Sequence, residues 1–396
     1  LTSERDLSIK LQNVLRDRDQ PEVSAVELEQ LNKTIHNLQL ESAELSNQLA
    51  ERYPAYHALR FNHETIPLED VAIGMEEDQL LINYFVGKVR IFALLVQPNG
   101  ENEVYVIDAT PDYLRELIQR FLPTLTDPTL SILDDTAEAP VYPTSASAAA
   151  AYRTDGNELY QLLLAPILKN EVPPQRIIII PDGVLNLLPF GVLPTATDDF
   201  GEDWTACPFF IKQTAVSYAY SAAMLQLMKD QPSAGYEAAD LAVFYHPEFA
   251  DQAENISTIM AAAGVSLQKI EGRGDRSQFI ENVCRHPYIH LATHGVIDPD
   301  VPTRSHLQLG KTTDGVEGEF YFADVFAQWL AGEFVFISAC DAARGRLEKG
   351  EGILSLTRGF AYAGTKSMVS PLWRIMEGST NLLTEKFYKA LASGDT

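Results

Sequence analysis

Tyr288-Ile-His-Leu-Ala-Thr-His294-Gly295 and Phe334-Val-Phe-Ile-Ser-Ala-Cys340-Asp341 decide how this chain is read. Each is a short apolar run that ends in a reactive side chain and then a loop. Uninterrupted apolar runs of this length mark strands buried on both faces. In a parallel α/β sheet, chemistry collects just beyond the carboxyl ends of the strands. A His and a Cys at two such ends place a base beside a thiol nucleophile.

Working outward, residues 240–396 alternate between the two periods. The pattern predicts strands at 241–245, 267–270, 288–293, 334–338 and 367–370, and helices at 252–263, 276–285, 321–330, 351–363 and 377–392. Strand–helix alternation at this spacing implies parallel βαβ units and an open sheet covered on both faces. Upstream, Leu80–Val86, Val89–Val96 and Val104–Ile107 read as an antiparallel meander, with turns at Gly87-Lys88 and Pro98-Asn99-Gly100. Helices are expected at 111–122 and 145–168. A central strand Ile177–Ile180 then runs into Pro181-Asp182-Gly183 and Leu187-Leu188-Pro189-Phe190. That segment carries no His or nucleophile and reads as scaffold. The linker Gln231-Pro-Ser-Ala-Gly235 separates the two α/β units.

Before them, Leu7, Leu11, Val14 and Leu15 share one helical face over residues 4–18. Past Pro21 and a capping Ser24, Leu28, Leu31, Ile35, Leu38, Leu45 and Leu49 form a second stripe that ends at Pro54. The expected organisation is a helical hairpin or coiled-coil arm over 1–55, a first α/β unit over 56–235 and a second over 236–396. The arm has the form of the end of a helical repeat array. The chain opens at Leu1, which reads as an excision from a longer protein.

The 396 residues carry a net charge of −25, which excludes nucleic acid as a direct partner because phosphate binding is driven by Lys and Arg. Three cysteines without framework spacing point to a reduced, cytoplasmic setting. No apolar run is long enough to predict a membrane span.

Among the candidate residues, Cys340 stands at an abrupt junction with the polar segment Asp341–Gly350, where Arg344 and Arg346 are placed to favour a thiolate. Cys207 and Cys284 have no comparable surroundings and are expected to be inert. His290 reads as a core histidine. The pair His290/His294 does not read as a metal site, since Leu291 stands where a zinc helix carries Glu and no further ligand is apparent; no metal and no cofactor is expected. Gly359–Ser367 fails as a phosphate loop, Arg273-Gly274-Asp275 reads as a chance tripeptide, and no Gly-x-Ser-x-Gly elbow occurs.

Taken together, His290-Leu-Ala-Thr-His294-Gly295, Ile337-Ser-Ala-Cys340-Asp341, Gly350-Glu-Gly352 through Arg358-Gly-Phe, and Ala363-Gly364 through Trp373 resemble the CHAT family. These are caspase-like cysteine peptidases related to separase, often found behind tetratricopeptide repeats. Ile180-Pro-Asp-Gly183, Leu188-Pro189-Phe190 and Tyr53-Pro-Ala-Tyr56 extend the resemblance to roughly residues 53–396. It implies a caspase-like sheet sandwiched by helices, in two tandem units of which the first is degenerate. It implies His294 as base and Cys340 as the nucleophile that forms a thioester, with the backbone N–H groups of Gly295 and Cys340 as oxyanion hole, each donor worth ~3 kcal/mol. It makes Asp341 and Glu377 candidates for recognising a basic P1 side chain, although Arg374-Ile-Met-Glu377 departs from the family's paired acidic residues. The chain also stops before the final aromatic-rich strand the family leads one to expect.

Two functions follow. One is a cysteine endopeptidase cutting a specific protein partner under control of an upstream sensor or repeat module. The other is a catalytically idle scaffold that binds partners through the same fold.

Overall fold

A computed structural model of the chain describes Leu7, Lys10, Val14 and residues 25–52, 66–125, 145–169, 173–200, 203–230, 241–283, 285–298, 304–325, 332–339, 345–348, 352–373 and 377–394. The second N-terminal helix spans Ala25–Arg52. Ile35 is buried on it, whereas Leu28 and Leu40 of the same helix are exposed. The helix expected over 4–18, apart from three of its residues, the capping Ser24 and the linker 231–235 lie outside the described residues.

The first sheet contains β1 (Gln79–Val86), β2 (Ile91–Val96), β3 (Asn102–Ile107), β4 (Arg176–Ile180) and β5 (Ala215–Tyr218), in the order β3-β2-β1-β4-β5. The meander β1–β3 is antiparallel as read, and β4 joins β1 in parallel. The edge strand β5 is an addition: Ala215-Val-Ser-Tyr is short, mostly exposed and carries no continuous apolar run. Thr110 caps the helix Pro111–Phe121 by accepting the N–H of Tyr113 at 3.2 Å. The helix expected over 145–168 is two pieces, Ser145–Leu163 and Ala165–Leu168, because Pro166 supplies no N–H to continue the ladder. These helices cover one face around Ile82, Ile177, Ile179, Phe121 and Phe190. Burying each such side chain contributes about 1.5–3 kcal/mol.

The second sheet is wholly parallel. β6 (Leu241–Tyr245), β7 (Leu267–Glu271), β8 (Tyr288–Ala292), β12 (Phe334–Ser338) and β15 (Ser367–Val369) stand in the order β15-β12-β8-β6-β7. Val335, Ile337, Ile289 and Leu291 face a core shared with Phe279 and Phe360, from the helices Arg276–Val283 and Leu356–Tyr362. Leu241 and Val243 face the other way, against Ile256 and Met260 of the helix Ala250–Ala262 and Tyr388 of the helix Glu377–Ser393. Helices therefore cover both faces. The helix Ala222–Asp230 packs against both sheets: Met224 enters this core, and Leu225 lies against the first sheet. Tyr220 adds a second tie, donating to Thr357 Oγ1 at 3.2 Å with the Arg358 guanidinium over its ring.

Two further features depart from the sequence reading. Between β8 and β12, β9 (Gly295–Val296), β10 (His306–Lys311) and β11 (Glu317–Tyr321) form a small antiparallel sheet. It lies against the loop after β7 by way of glycine: a Cβ on Gly310, at φ +80°, would stand 2.5 Å from the Gly272 carbonyl oxygen, and one on Gly318 2.3 Å from that of Gly274. The second departure corrects the helix expected over 351–363. Its first part is a hairpin, β13 (Gly345–Glu348) with β14 (Gly352–Ser355), and the helix begins only at Leu356, capped by the Ser355 hydroxyl on Arg358 N–H. The stretch 321–330 is helical over Phe322–Val325, and 326–331 lie outside the described residues.

Candidate active site

The site lies where β6, β8 and β12 end side by side. β12 pairs with β8 up to Ser338↔Ala292, and β8 with β6 up to Ala292↔Tyr245. Beyond those rungs the backbones stay tied, Thr293 N–H to Ser338 O at 3.3 Å and His246 N–H to Ala292 O at 2.9 Å. Strand length and register thus put His246 and His294 near the level of Ser338 and Ala339.

His294 is held by its main chain. Its carbonyl accepts the N–H of Gln308 on β10 at 3.0 Å, and the Thr293 hydroxyl donates to the Gln308 carbonyl. Hydrogen-bonded positions alternate along an antiparallel pair. Gly295, one residue on and opposite Leu307, therefore turns its N–H away from β10.

The imidazole is partly exposed, and its Nε2 lies 2.8 Å from Glu248 Oε2. The hydrogen bond from His294 is the main influence holding the Glu248 carboxyl below its ordinary value. Phe249 packs on the ring at 4.9 Å between centroids and His246 meets it edge-on at 5.2 Å, which restricts its rotation. Glu248 is fixed in turn by the turn Pro247–Phe249, where its N–H donates to His246 Nδ1 at 3.3 Å. With Nε2–H donated to the carboxylate, the Nδ1 lone pair of His294 is free to take a proton. Sequence reasoning misses His246 and Glu248, which lie 48 and 46 residues before His294 and are brought near it only by the β6–β8 pairing.

Below the strand ends, Gln252 Nε2 lies within 3.4 Å of Ser338 Oγ, Asn381 Oδ1 and Thr384 Oγ1, all buried or nearly so. This polar network joins the end of β12 to both helices of that face. Cys340 and Asp341 lie outside the described residues, as do Arg344, Cys284 and the side chains of Arg346 and Glu377.

His290 belongs to the core. It is fully buried, stacked on Phe336 at 4.8 Å, with Nδ1 3.0 Å from the Tyr388 hydroxyl. Burial pushes its pKa down to about 3, so the ring is neutral. Cys207 is buried in the first core, and burial raises its thiol pKa, as suits an inert cysteine. Arg273-Gly274-Asp275 makes a turn with Gly274 at φ +72°, and Asp275 caps the next helix by accepting the N–H groups of Ser277 and Gln278. Gly359–Ser367 runs from helix to strand, opposite in polarity to a phosphate loop.

A parallel sheet covered by helices, with a carboxylate-held histidine at a strand end beside the end of its neighbour, fits a caspase-like fold. The CHAT domain family, related to caspase-like cysteine peptidases, matches residues 153–396, and the chain belongs to it. The match begins after the meander β1–β3, a shorter span than the motifs alone indicated. No curated protein matches the chain. Among the described residues no helix is long and apolar enough to cross a membrane.

Proposed function

We propose that this chain is a cysteine endopeptidase in which His294 is the general base and Cys340 the nucleophile. The observation that carries the reading is the rung Ala292↔Ser338 between β8 and β12. His294 follows the first of these residues by two positions and Cys340 follows the second by two.

His294 Nδ1 takes the Cys340 proton while Glu248 holds Nε2–H. The thiolate attacks the scissile carbonyl, and the oxyanion is met by the backbone N–H groups of Gly295 and Cys340. Collapse forms the thioester as the imidazolium returns its proton to the leaving amine. Water, deprotonated by the same ring, then attacks the thioester and frees the acid and the thiol. Glu248 is a positioning residue that fixes tautomer and ring orientation; acid–base assistance of this kind is worth roughly 10²–10⁴-fold.

Asp341 and Glu377 recognise a basic P1 side chain. The first unit, 56–235, is the non-catalytic partner of 236–396, in keeping with the absence of His and of any exposed Cys among its described residues. The arm over 1–55 couples the protease to an upstream sensor or repeat module, and the protein works in the cytoplasm on a protein substrate.

The test is site-resolved alkylation by iodoacetamide at near-neutral pH. Cys340 labels faster than Cys207 and Cys284, and the advantage is lost in His294→Ala. Equal labelling of all three in folded protein would instead support the idle scaffold.

A further inference from the structure

His294 has a second possible occupation. One donor atom from each of His246, Glu248 and His294 lies within 4.8 Å of the other two. Two imidazoles and one carboxylate are the protein ligands of open, three-residue zinc sites, the fourth position going to water. Donors around a tetrahedral ion stand about 3.4 Å apart for bonds of about 2.1 Å. The closing movement required is therefore small, and the exposed Glu248 side chain is free to make it.

The backbone frame of the arrangement is preformed. Both histidines sit at the ends of paired strands, and their backbones are joined by the His246 N–H to Ala292 O bond, so the sheet sets their separation. The N–H of Glu248 lies 3.3 Å from His246 Nδ1, a long hydrogen bond that the metal displaces when that nitrogen binds it, the ring proton staying on Nε2. That Nε2 lies 3.8 Å from Glu317 Oε1, a buried oxygen with no hydrogen-bond partner. A carboxylate behind the non-ligating nitrogen is the usual outer partner of a metal-bound histidine, fixing its ring and raising its basicity. The protease mechanism uses neither His246 nor Glu317.

We propose that His246, Glu248 and His294 bind a divalent transition-metal ion of the zinc class, and that the bound ion switches the peptidase off. The metal half stands on geometry alone; the inhibitory half rests on His294 being the base. The ion takes His294 Nε2 in place of a proton, and the neutral ring then carries its proton on Nδ1. That nitrogen no longer has a lone pair for the Cys340 proton. Glu248, the group that holds the ring for catalysis, becomes the ligand that disables it. No bond in the protein is made or broken, so a chelator reverses the state.

The experiment titrates the full chain, stripped with a chelator, with Zn²⁺ alone against a competing chromophoric chelator, and follows Co²⁺ spectra in parallel. Wild type and Cys340→Ala should each bind one equivalent. Glu248→Gln, an exposed change that leaves the core intact, and His246→Ala should bind at least ~10-fold more weakly, and Glu317→Gln ~10-fold more weakly. The Co²⁺ form should lack a thiolate charge-transfer band. Zn²⁺ should slow Cys340 alkylation in wild type, reversibly with chelator, and have less effect on Glu248→Gln relative to its own metal-free rate. Binding lost in Cys340→Ala but kept in Glu248→Gln would overturn the site. Stoichiometric binding with unchanged alkylation would overturn the inhibitory half alone. Neither result bears on whether the metal-free chain is a peptidase, which the Cys340→Ala cleavage comparison decides.

Discussion

His294 Nε2 stands 2.8 Å from Glu248 Oε2, a contact made across two adjacent parallel strand ends. It gives His294 a carboxylate partner that the sequence around His294 and Cys340 does not disclose. Glu248→Gln keeps a hydrogen-bond acceptor but removes the charge that steadies the imidazolium during proton transfer. We expect a fall in kcat of roughly 10- to 100-fold with KM changed less than about two-fold. Because the Glu248 side chain is largely exposed, thermal stability should stay at the wild-type value. A rise in KM with kcat unchanged would assign Glu248 to substrate binding.

Buried His290 gives the fold an acid-sensitive point. Its pKa falls from 6.5 in the unfolded chain to about 3 in the folded one. Between those values the unfolded state binds the extra proton. This contribution to stability is therefore complete above about pH 6.5 and is lost at up to ~1.4 kcal/mol per pH unit as the pH falls towards the folded value. His290→Gln keeps a partner for Tyr388 and does not titrate. Urea unfolding over roughly pH 4 to 7 should show a shallower acid limb in the variant; parallel limbs would place the acid sensitivity elsewhere.

The glycine contact behind β10 should matter for catalysis as well as stability. Gly310→Ala forces a side chain into positive φ and against the Gly272 carbonyl, costing of order 1–3 kcal/mol. Since β10 carries the Gln308 N–H that holds His294, activity should fall further than the loss of folded protein explains. Gly100→Ala is the control: it has a similar φ, with nothing within 4 Å of the new Cβ. It should lose stability only. Equal specific activities would detach β10 from the site.

The assignment of Asp341 and Glu377 to a basic P1 is tested with peptide libraries. Asp341→Asn or Glu377→Gln should reduce the preference for Arg and Lys at P1 by at least about 10-fold while sparing turnover of neutral P1 peptides. An unchanged P1 profile in both would dismiss the two carboxylates.

The parallel sheet was legible because its central strands Leu241–Tyr245, Tyr288–Ala292 and Phe334–Ser338 are largely apolar runs and helix-period segments alternate with the strands. All five fall within a residue or two of where Leu241, Leu267, Tyr288, Phe334 and Ser367 placed them. The β9–β11 sheet was not legible: Gly295-Val296 is too short to show a period, and its seat depends on Gly272, Gly274, Gly310 and Gly318 meeting through space. Gly352-Ile-Leu-Ser was read as helix because local composition cannot reveal the hairpin partner Gly345–Glu348. Of the site, the strand-end histidine was visible. His246 and Glu248 were not, because the β6–β8 register that delivers them is a tertiary fact.

The most direct measurement of the central claim is a proteome-wide comparison of new protein N-termini produced by the wild-type chain and by Cys340→Ala, with His294→Ala as a second control. Wild type should generate a small set of cuts sharing one P1 residue type, absent from both variants, while all three proteins keep the same fold by circular dichroism and melting. The same cuts appearing with Cys340→Ala would contradict the peptidase assignment.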